Sequence, residues 1–222
     1  MRSNPTHCFA ILGVLPIALA IACGSASAAV KLPDPHEQIA LAASPARDTA
    51  VFAGGCFWGI QAVFQHMKGV ISATSGYAGG TGKDPDYETV SSGATGHAES
   101  VEIIFDPSVV SYGSLLKVLF SVAHDPTELN RQGPDWGTQY RSAVFYANAA
   151  QEKAVKAYIA QLTAAKTFPK PIVTQVAPLT KFYAAEAYHQ DYLNKHPTQP
   201  YIVINDIPKV EALKALYPSL YQ

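Results

Sequence analysis

Cysteine is scarce in this chain: Cys8, Cys23 and Cys56 are the three in 222 residues. The first two fall in an apolar leader, so the rest of the chain holds Cys56 alone. A single cysteine excludes an internal disulfide framework and leaves one thiol to be explained. Charge is also sparse. Charged residues make up 15% of the sequence, and the formal net charge is −1. That balance gives no electrostatic footprint for nucleic acid or an anionic membrane. Metal-ligand spacing is missing. The seven histidines are scattered, and no Cys-x-x-Cys completes His97-x-Glu99 as a zinc deaminase signature. No metal and no cofactor are expected. Gly80-Thr81-Gly82-Lys83 looks faintly like a phosphate loop, but Tyr77 stands where a Walker A has its first glycine, and Asp84 where it has Ser or Thr. Beyond the leader no apolar run reaches the roughly 20 residues of a membrane span, and there are no internal repeats.

The leader itself reads as a secretory signal. Arg2 precedes an apolar run from Cys8 to Ala22, and Ala26-Ser27-Ala28 supplies an A-x-A cleavage site. Cleavage is expected after Ala28, with export, most simply to a periplasm. The alternative is a lipid anchor on Cys23, but Leu19 lies one place too early for a good lipobox. Residues 29–48 are rich in Ala and Pro without sustained period and read as a linker or flexible arm. Residues 49–222 then form one domain, expected to be a monomer.

Within that domain helices and strands alternate. Thr49 to Phe52 is a β-prone run. After Cys56, Ile60, Val63, Phe64 and Met67 follow helical spacing up to Gly69. Val70 to Thr74 reads as a strand, and Ser75 to Gly96 as a long glycine-rich loop. His97 to Phe105 alternates as a strand. Ser111 caps a helix facing inward with Leu115, Val118, Leu119 and Val122. A second long loop covers His124 to Gln139, and a strand runs from Tyr140 to Ala147. Asn148 and Gln151 resemble a capping box opening a helix with Val155, Tyr158, Ile159 and Leu162 inward. Ile172 to Ala177 reads as a strand, Ala184 to Asn194 as a short helix, and Lys209 to Leu216 as a last helix. This order suits an α/β two-layer sandwich.

Three places carry chemistry. Gly54-Gly55-Cys56-Phe57-Trp58-Gly59 puts a thiol at a strand-to-helix turn. Unpaired N–H groups and the helix dipole favour a thiolate there, and a lowered pKa makes a cysteine nucleophilic. The bland alternative is a small buried hydrophobe. On the strand at His97, alternation puts Glu99 on the face of Val101, Ile103 and Phe105. A carboxyl group among apolar side chains has a raised pKa and is a general acid near neutral pH; the alternative is a solvated residue at a strand end. Gly133 to Arg141 gathers Asp135, Trp136, Gln139, Tyr140 and Arg141 around turn glycines. His124 and His189 keep open a cysteine hydrolase of the papain kind. A peroxide-reducing thiol enzyme and a non-catalytic binder of oxidised proteins are further rivals.

Gly55 to Gly59, Gly96-His97-Ala98-Glu99 and Arg131 to Ser142 resemble the peptide methionine sulfoxide reductases of the A class. Gly76 to Gly80, His124-Asp125-Pro126-Thr127 and Tyr188-His189-Gln190 are similar as well. The resemblance spans about Thr49 to Val203. It implies a two-layer sandwich with a ferredoxin-like core, helices packed on a mixed sheet, and reduction of the S-epimer of methionine sulfoxide, free or in proteins. By the same resemblance Cys56 is the nucleophile and Glu99 the acid. Tyr87 and Tyr140 hydrogen-bond the sulfoxide oxygen, Phe57 and Trp58 take the substrate methyl, and Asp135 helps hold the site. Many members carry C-terminal cysteines that resolve a sulfenic acid; Tyr201 to Gln222 has none. An external thiol, from a thioredoxin-like protein or a small molecule, is therefore the expected reductant.

Overall fold

The computed structural model describes residues 29–222. The leader, with Cys8, Cys23 and the site after Ala28, lies outside the described residues. The chain opens its regular structure with β1 (Asp48–Ala53), α1 (Phe57–Gln65), β2 (Val70–Ala78), α2 (Tyr87–Ser91), β3 (Ala98–Phe105) and α3 (Tyr112–Val118). The strands β4 (Arg131–Gln132), β5 (Asp135–Trp136) and β6 (Ala143–Tyr146) follow, then α4 (Ala149–Ala164), β7 (Gln175–Pro178) and β8 (Phe182–Ala184). The tail holds α5 (Tyr192–Lys195) and α6 (Ile207–Leu216).

Six strands make one sheet in the order β7-β6-β1-β3-β2-β8, and β4 and β5 form a separate hairpin. Neighbours in the large sheet are antiparallel except β6 and β7. The inner order β6-β1-β3-β2 has β3 filling the gap left by the β1-α1-β2 crossover, which is the split β-α-β of a ferredoxin-like core. The fold is an α/β two-layer arrangement with helices packed on a mixed sheet.

Period-two alternation divides the sheet residues between two faces. Phe52, Val101, Ile103 and Phe105 face the helices and share one core with Ile60, Val63, Phe64, Leu115, Val155 and Leu162. Val51, Ala53, Ala78, Ala98 and Phe145 pack on the opposite face with Phe182 and Leu179. Each large side chain removed from water contributes about 1.5–3 kcal/mol. The helix α4 starts as the sequence suggests, since the Asn148 side chain accepts from Gln151 N–H at 2.9 Å. Gln151 also donates to the Thr49 carbonyl at 2.8 Å, fastening α4 to β1.

Several segments differ from their expected form. β2 runs on to Ala78 through Ser75 and Gly76, because β3 offers partners as far as Ala98. The glycine-rich loop is thus shorter, and it contains α2, capped by Asp86 accepting from Thr89 N–H at 2.8 Å. The loop after His124 is built around the β4–β5 hairpin. The expected helix over 184–194 is an edge strand, a tight turn and the short α5, with left-handed backbone at Asp191 (φ 58) between them. Residues 29–47 have no helix or strand, as a linker would, yet they lie against the domain. Leu32 is buried, its N–H donates to Tyr217 Oη at 2.9 Å, and Tyr158 Oη donates to the Pro33 carbonyl at 2.9 Å.

Candidate active site

The turn Gly54-Gly55 carries the chain from β1 into α1 and places Cys56 at the helix N-cap. Gly55 has φ +95, and a Cβ there would lie 2.5 Å from Gln132 Cβ. Only glycine allows both the left-handed backbone and the close approach of the second loop. Gln132 is itself held, accepting from Asp125 N–H and donating to the Asp125 carbonyl, both at 3.0 Å.

Glu99 comes up from β3 to the same helix end. Its Oε2 accepts from Phe57 N–H at 3.1 Å, satisfying one of the donors a helix leaves free at its start. The residue is only 2% exposed. Burial pushes its pKa up to about 8, against the pull of the Phe57 amide and with help from Asp135 and Asp206.

The helix-terminus argument for a lowered Cys56 pKa does not hold here. Burial, and then the charges of Glu99 and Asp206, push the thiol well above its ordinary range. The Trp58 N–H and Lys209 pull the other way and do not win. Burial, the largest of these effects, therefore favours the neutral thiol over the thiolate in the free enzyme.

One cleft of about 280 Å³ is lined by Cys56, Phe57, Trp58, Tyr87, Glu99, Asp135 and Tyr140, together with Gln199 and Tyr201. The seven residues given roles by the family resemblance therefore all line one cleft. Tyr87 begins α2, and its N–H donates to Glu186 Oε1 at 2.8 Å. Tyr140 ends a short turn that Gln139 ties to α2, donating to the Ser91 carbonyl at 2.9 Å. Burial raises both phenol pKa values, with Glu99 adding to each, so both hydroxyls are donors. The Trp58 ring lies flat on Tyr192, 3.8 Å between centroids, and its Nε1 donates to His189 Nδ1 at 3.1 Å. Phe57 is fully buried, with His189 and Tyr77 rings around it. A slot of this kind, apolar on one wall with converging phenol and carboxyl groups on the other, suits a small group with one apolar and one oxygen end.

A family model described as peptide methionine sulfoxide reductase matches residues 48–219. The chain belongs to that family. A relative named peptide methionine sulfoxide reductase MsrA 2, from Mesorhizobium japonicum, is 61% identical over 81% of this chain and 92% of its own. The MsrA of Deinococcus radiodurans is 49% identical over 78% of this chain and 83% of its own. Among solved structures, methionine sulfoxide reductase A of Corynebacterium diphtheriae has a TM-score of 0.60 at 35% identity, covering 77% of this chain and 89% of that one. Mxr1 from Saccharomyces cerevisiae in reduced form has a TM-score of 0.63 at 33% identity, covering 69% and 87%. The chain is thus a peptide methionine sulfoxide reductase of the A class.

In this reductase the other flagged residues have structural work. His97 accepts from Gly80 N–H at 3.1 Å, and its Nε2 meets the Gly82 carbonyl at 3.0 Å. Arg141 donates to the carbonyls of Thr138 and Gly96 and to Gln175 Oε1. His124 is held by the Leu119 carbonyl and Ser142 Oγ, and burial lowers its pKa to about 4. His189 serves Trp58. These engagements remove the hydrolase reading's candidate bases. Among the described residues no group of three or more His, Cys, Asp or Glu is placed to hold a metal ion.

Two lining residues went unnoticed in the sequence. Tyr201 donates from its hydroxyl to Asp135 Oδ2 and meets Trp58 edge-on at 5.8 Å. Gln199 lies two residues before it. Both sit in the tail, where Pro197 and Pro200 mark a turn but nothing in the spacing points at the cleft, and Tyr201 is one of 12 tyrosines.

Proposed function

We propose that Cys56 reduces methionine sulfoxide by attack on the sulfoxide sulfur, with Glu99 as acid and Tyr87 and Tyr140 as donors to the oxygen. The observation that carries this reading is the buried Glu99 carboxyl, its pKa pushed up to about 8 by burial, lining the same cleft as the Cys56 thiol. A sulfoxide oxygen departs only when protonated. Glu99 gives it a proton, the Cys56 sulfur bonds to the substrate sulfur, and the S–O bond breaks. The hydroxyl becomes bonded to the Cys56 sulfur as a sulfenic acid, and the bond between the two sulfurs breaks, its electron pair leaving with the substrate as methionine. The thiol's own proton returns to Glu99, so the acid is restored within the step. Phenol donors stabilise the charge that develops on oxygen. Phe57 and Trp58 hold the substrate methyl, and Tyr201 keeps Asp135 at the rim.

Recycling needs two reducing equivalents. An external thiol attacks the sulfenic sulfur, water leaves, and a second thiol releases the mixed disulfide. A thioredoxin-like protein or a small thiol supplies both. We place the enzyme outside the cytoplasm, most simply in a periplasm, as a monomer that repairs exported proteins. The leader up to Ala28 is the ground for that placement; a mature N-terminus at Cys23 would replace it with a lipid-anchored form. Among the described residues no helix is long and apolar enough to cross a membrane.

The test is turnover of the separated S and R epimers of a methionine sulfoxide substrate with dithiothreitol, wild type beside Cys56→Ser. S-selective turnover that the variant loses is expected. Absence of turnover on either epimer, or full activity in Cys56→Ser, would overturn the mechanism.

A further inference from the structure

The tail that closes the cleft brings one more charged pair. After Tyr201 the backbone makes a wide helical turn, Ile202–Asp206, and runs directly into α6. Asp206 is fully buried. Its Oδ1 accepts from Lys209 Nζ at 3.2 Å, while its Oδ2 is buried without a partner. A buried ion pair is at best neutral for stability against an apolar pair of similar volume. An unsatisfied carboxylate oxygen makes the balance worse. Packing alone gives no reason for this pair.

The pair lies against the first turn of α1. A Cβ at Gly59 would be 2.2 Å from Asp206 Oδ1 and 2.9 Å from Lys209 Nζ. Glycine inside a helix costs about 0.5–1 kcal/mol relative to alanine. Here its bare Cα lets a carboxylate and an ammonium reach the helix one turn beyond Cys56. Their fields extend to the thiol, Asp206 raising its pKa and Lys209 lowering it. The other titratable groups around Cys56 in the cleft are Glu99 on β3, Tyr87 on α2, Asp135 on β5, Tyr140 before β6, and Tyr201 in the tail. All of these are acids, so Lys209 is the cation of the set. Neither member of the pair lines the cleft.

We propose that Asp206 and Lys209 are a positioning pair for the thiol reaction, in which Asp206 fixes the Lys209 ammonium beneath α1 and the ammonium stabilises Cys56 as it gains charge. This inference rests on Cys56 as the nucleophile. The pair touches neither substrate nor sulfur, and acts through the field at the helix start.

The test is iodoacetamide alkylation of Cys56 in the purified enzyme, where the thiolate is the reacting form, read by peptide mass from about pH 7 up to about pH 12, because the thiol titrates above its ordinary range. Lys209→Met is expected to move the inflection up by about one pH unit, with roughly 10-fold slower alkylation near neutral pH. Lys209→Arg is expected to restore it. Asp206→Asn leaves an amide oxygen to accept from the Lys209 ammonium and removes the anion, so its inflection should move down. In steady state with dithiothreitol, Lys209→Met should lower kcat with little change in KM. An unmoved inflection in a folded Lys209→Met protein would overturn the inference, as would shifts of the same sign in Asp206→Asn and Lys209→Met. If Lys209→Met does not fold, the near-isosteric Asp206→Asn carries the test: a downward shift supports the pair, and an unmoved or raised inflection overturns it. Failure of the wild-type enzyme to reduce sulfoxide would strike the proposed mechanism instead, and the alkylation profile would remain readable.

Discussion

Glu99 accepts a backbone N–H and still holds its proton to about pH 8, because one amide does not offset the loss of water around the carboxylate. Activity and stability both depend on that proton. The acid form is present below pH 8 and disappears as pH rises through about 8, so kcat should fall on that limb. Glu99→Gln should lower kcat by about 10²–10⁴-fold, the range for loss of a general acid, and should remove the limb from the pH profile. Stability follows the same proton. An unfolded glutamate loses it near 4.5 and the native one near 8, so the native state binds more protons between those values. Unfolding free energy therefore declines as pH rises through that window, and Glu99→Gln should flatten the decline in urea titrations. Alternation along the strand was enough to place Glu99 among apolar neighbours. The same local reasoning gave the wrong sign for Cys56. It counted the helix N–H groups, which are local, and had no access to the carboxylates that β3 and the tail bring from far along the chain.

At the scale of elements, the aromatic wall of the cleft depends on a turn near the end of the chain. His189, in the turn after β8, accepts the Trp58 indole N–H and packs on Phe57 and Tyr87. Its ring must be neutral at Nδ1 to accept, and burial lowers its pKa below the ordinary 6.5. For a lowered histidine the neutral native form is stabilising above the unfolded pKa, and that contribution is lost as pH falls. Acidification below 6.5 should release Trp58. In a Trp136→Phe background, which leaves Trp58 as the fluorophore, its emission should change together with a rise in KM. Constant emission through acid loss of activity would assign that loss elsewhere. The α1 face was legible from the sequence because Ile60, Val63 and Phe64 repeat with the helix period and are fully buried; Met67, also buried, lies past the end of α1 and bridges to Tyr221 instead. The second half of β2 was not. Ser75 and Gly76 have the composition of a loop, and it is pairing with β3 and β8 that makes them strand.

The whole molecule is fastened by a segment without regular structure. Before β1, the arm crosses α4 and reaches the tail, with Leu32 buried, Gln161 donating to the Asp34 carbonyl, and Lys117 and Lys153 paired with Asp34 and Glu37. Exposed ion pairs of this kind add little, so Leu32 and the Tyr158 and Tyr217 hydroxyls hold it. Leu32→Ala should destabilise the enzyme by about 2 kcal/mol, the low end for a buried leucine because an arm can adjust, measured as a shift in the urea midpoint. A midpoint unmoved from wild type would mean the arm is detached in solution. Alanine and proline gave that stretch the look of a spacer, since its anchoring residues are single and far apart. The order of elements, by contrast, was enough to suggest the two-layer class, because alternating helices and strands leave few ways to cover one sheet.

The bond from Leu32 N–H to Tyr217 Oη joins the start of the domain to its end. Tyr217 follows directly on α6, the helix that packs along α1 and carries Lys209. The Leu32 amide can exchange its hydrogen with solvent only when that latch opens. Its deuterium uptake therefore registers breathing of the helix layer behind the thiol, so a probe near the front of the chain reads, without touching the cleft, how firmly the cleft is backed.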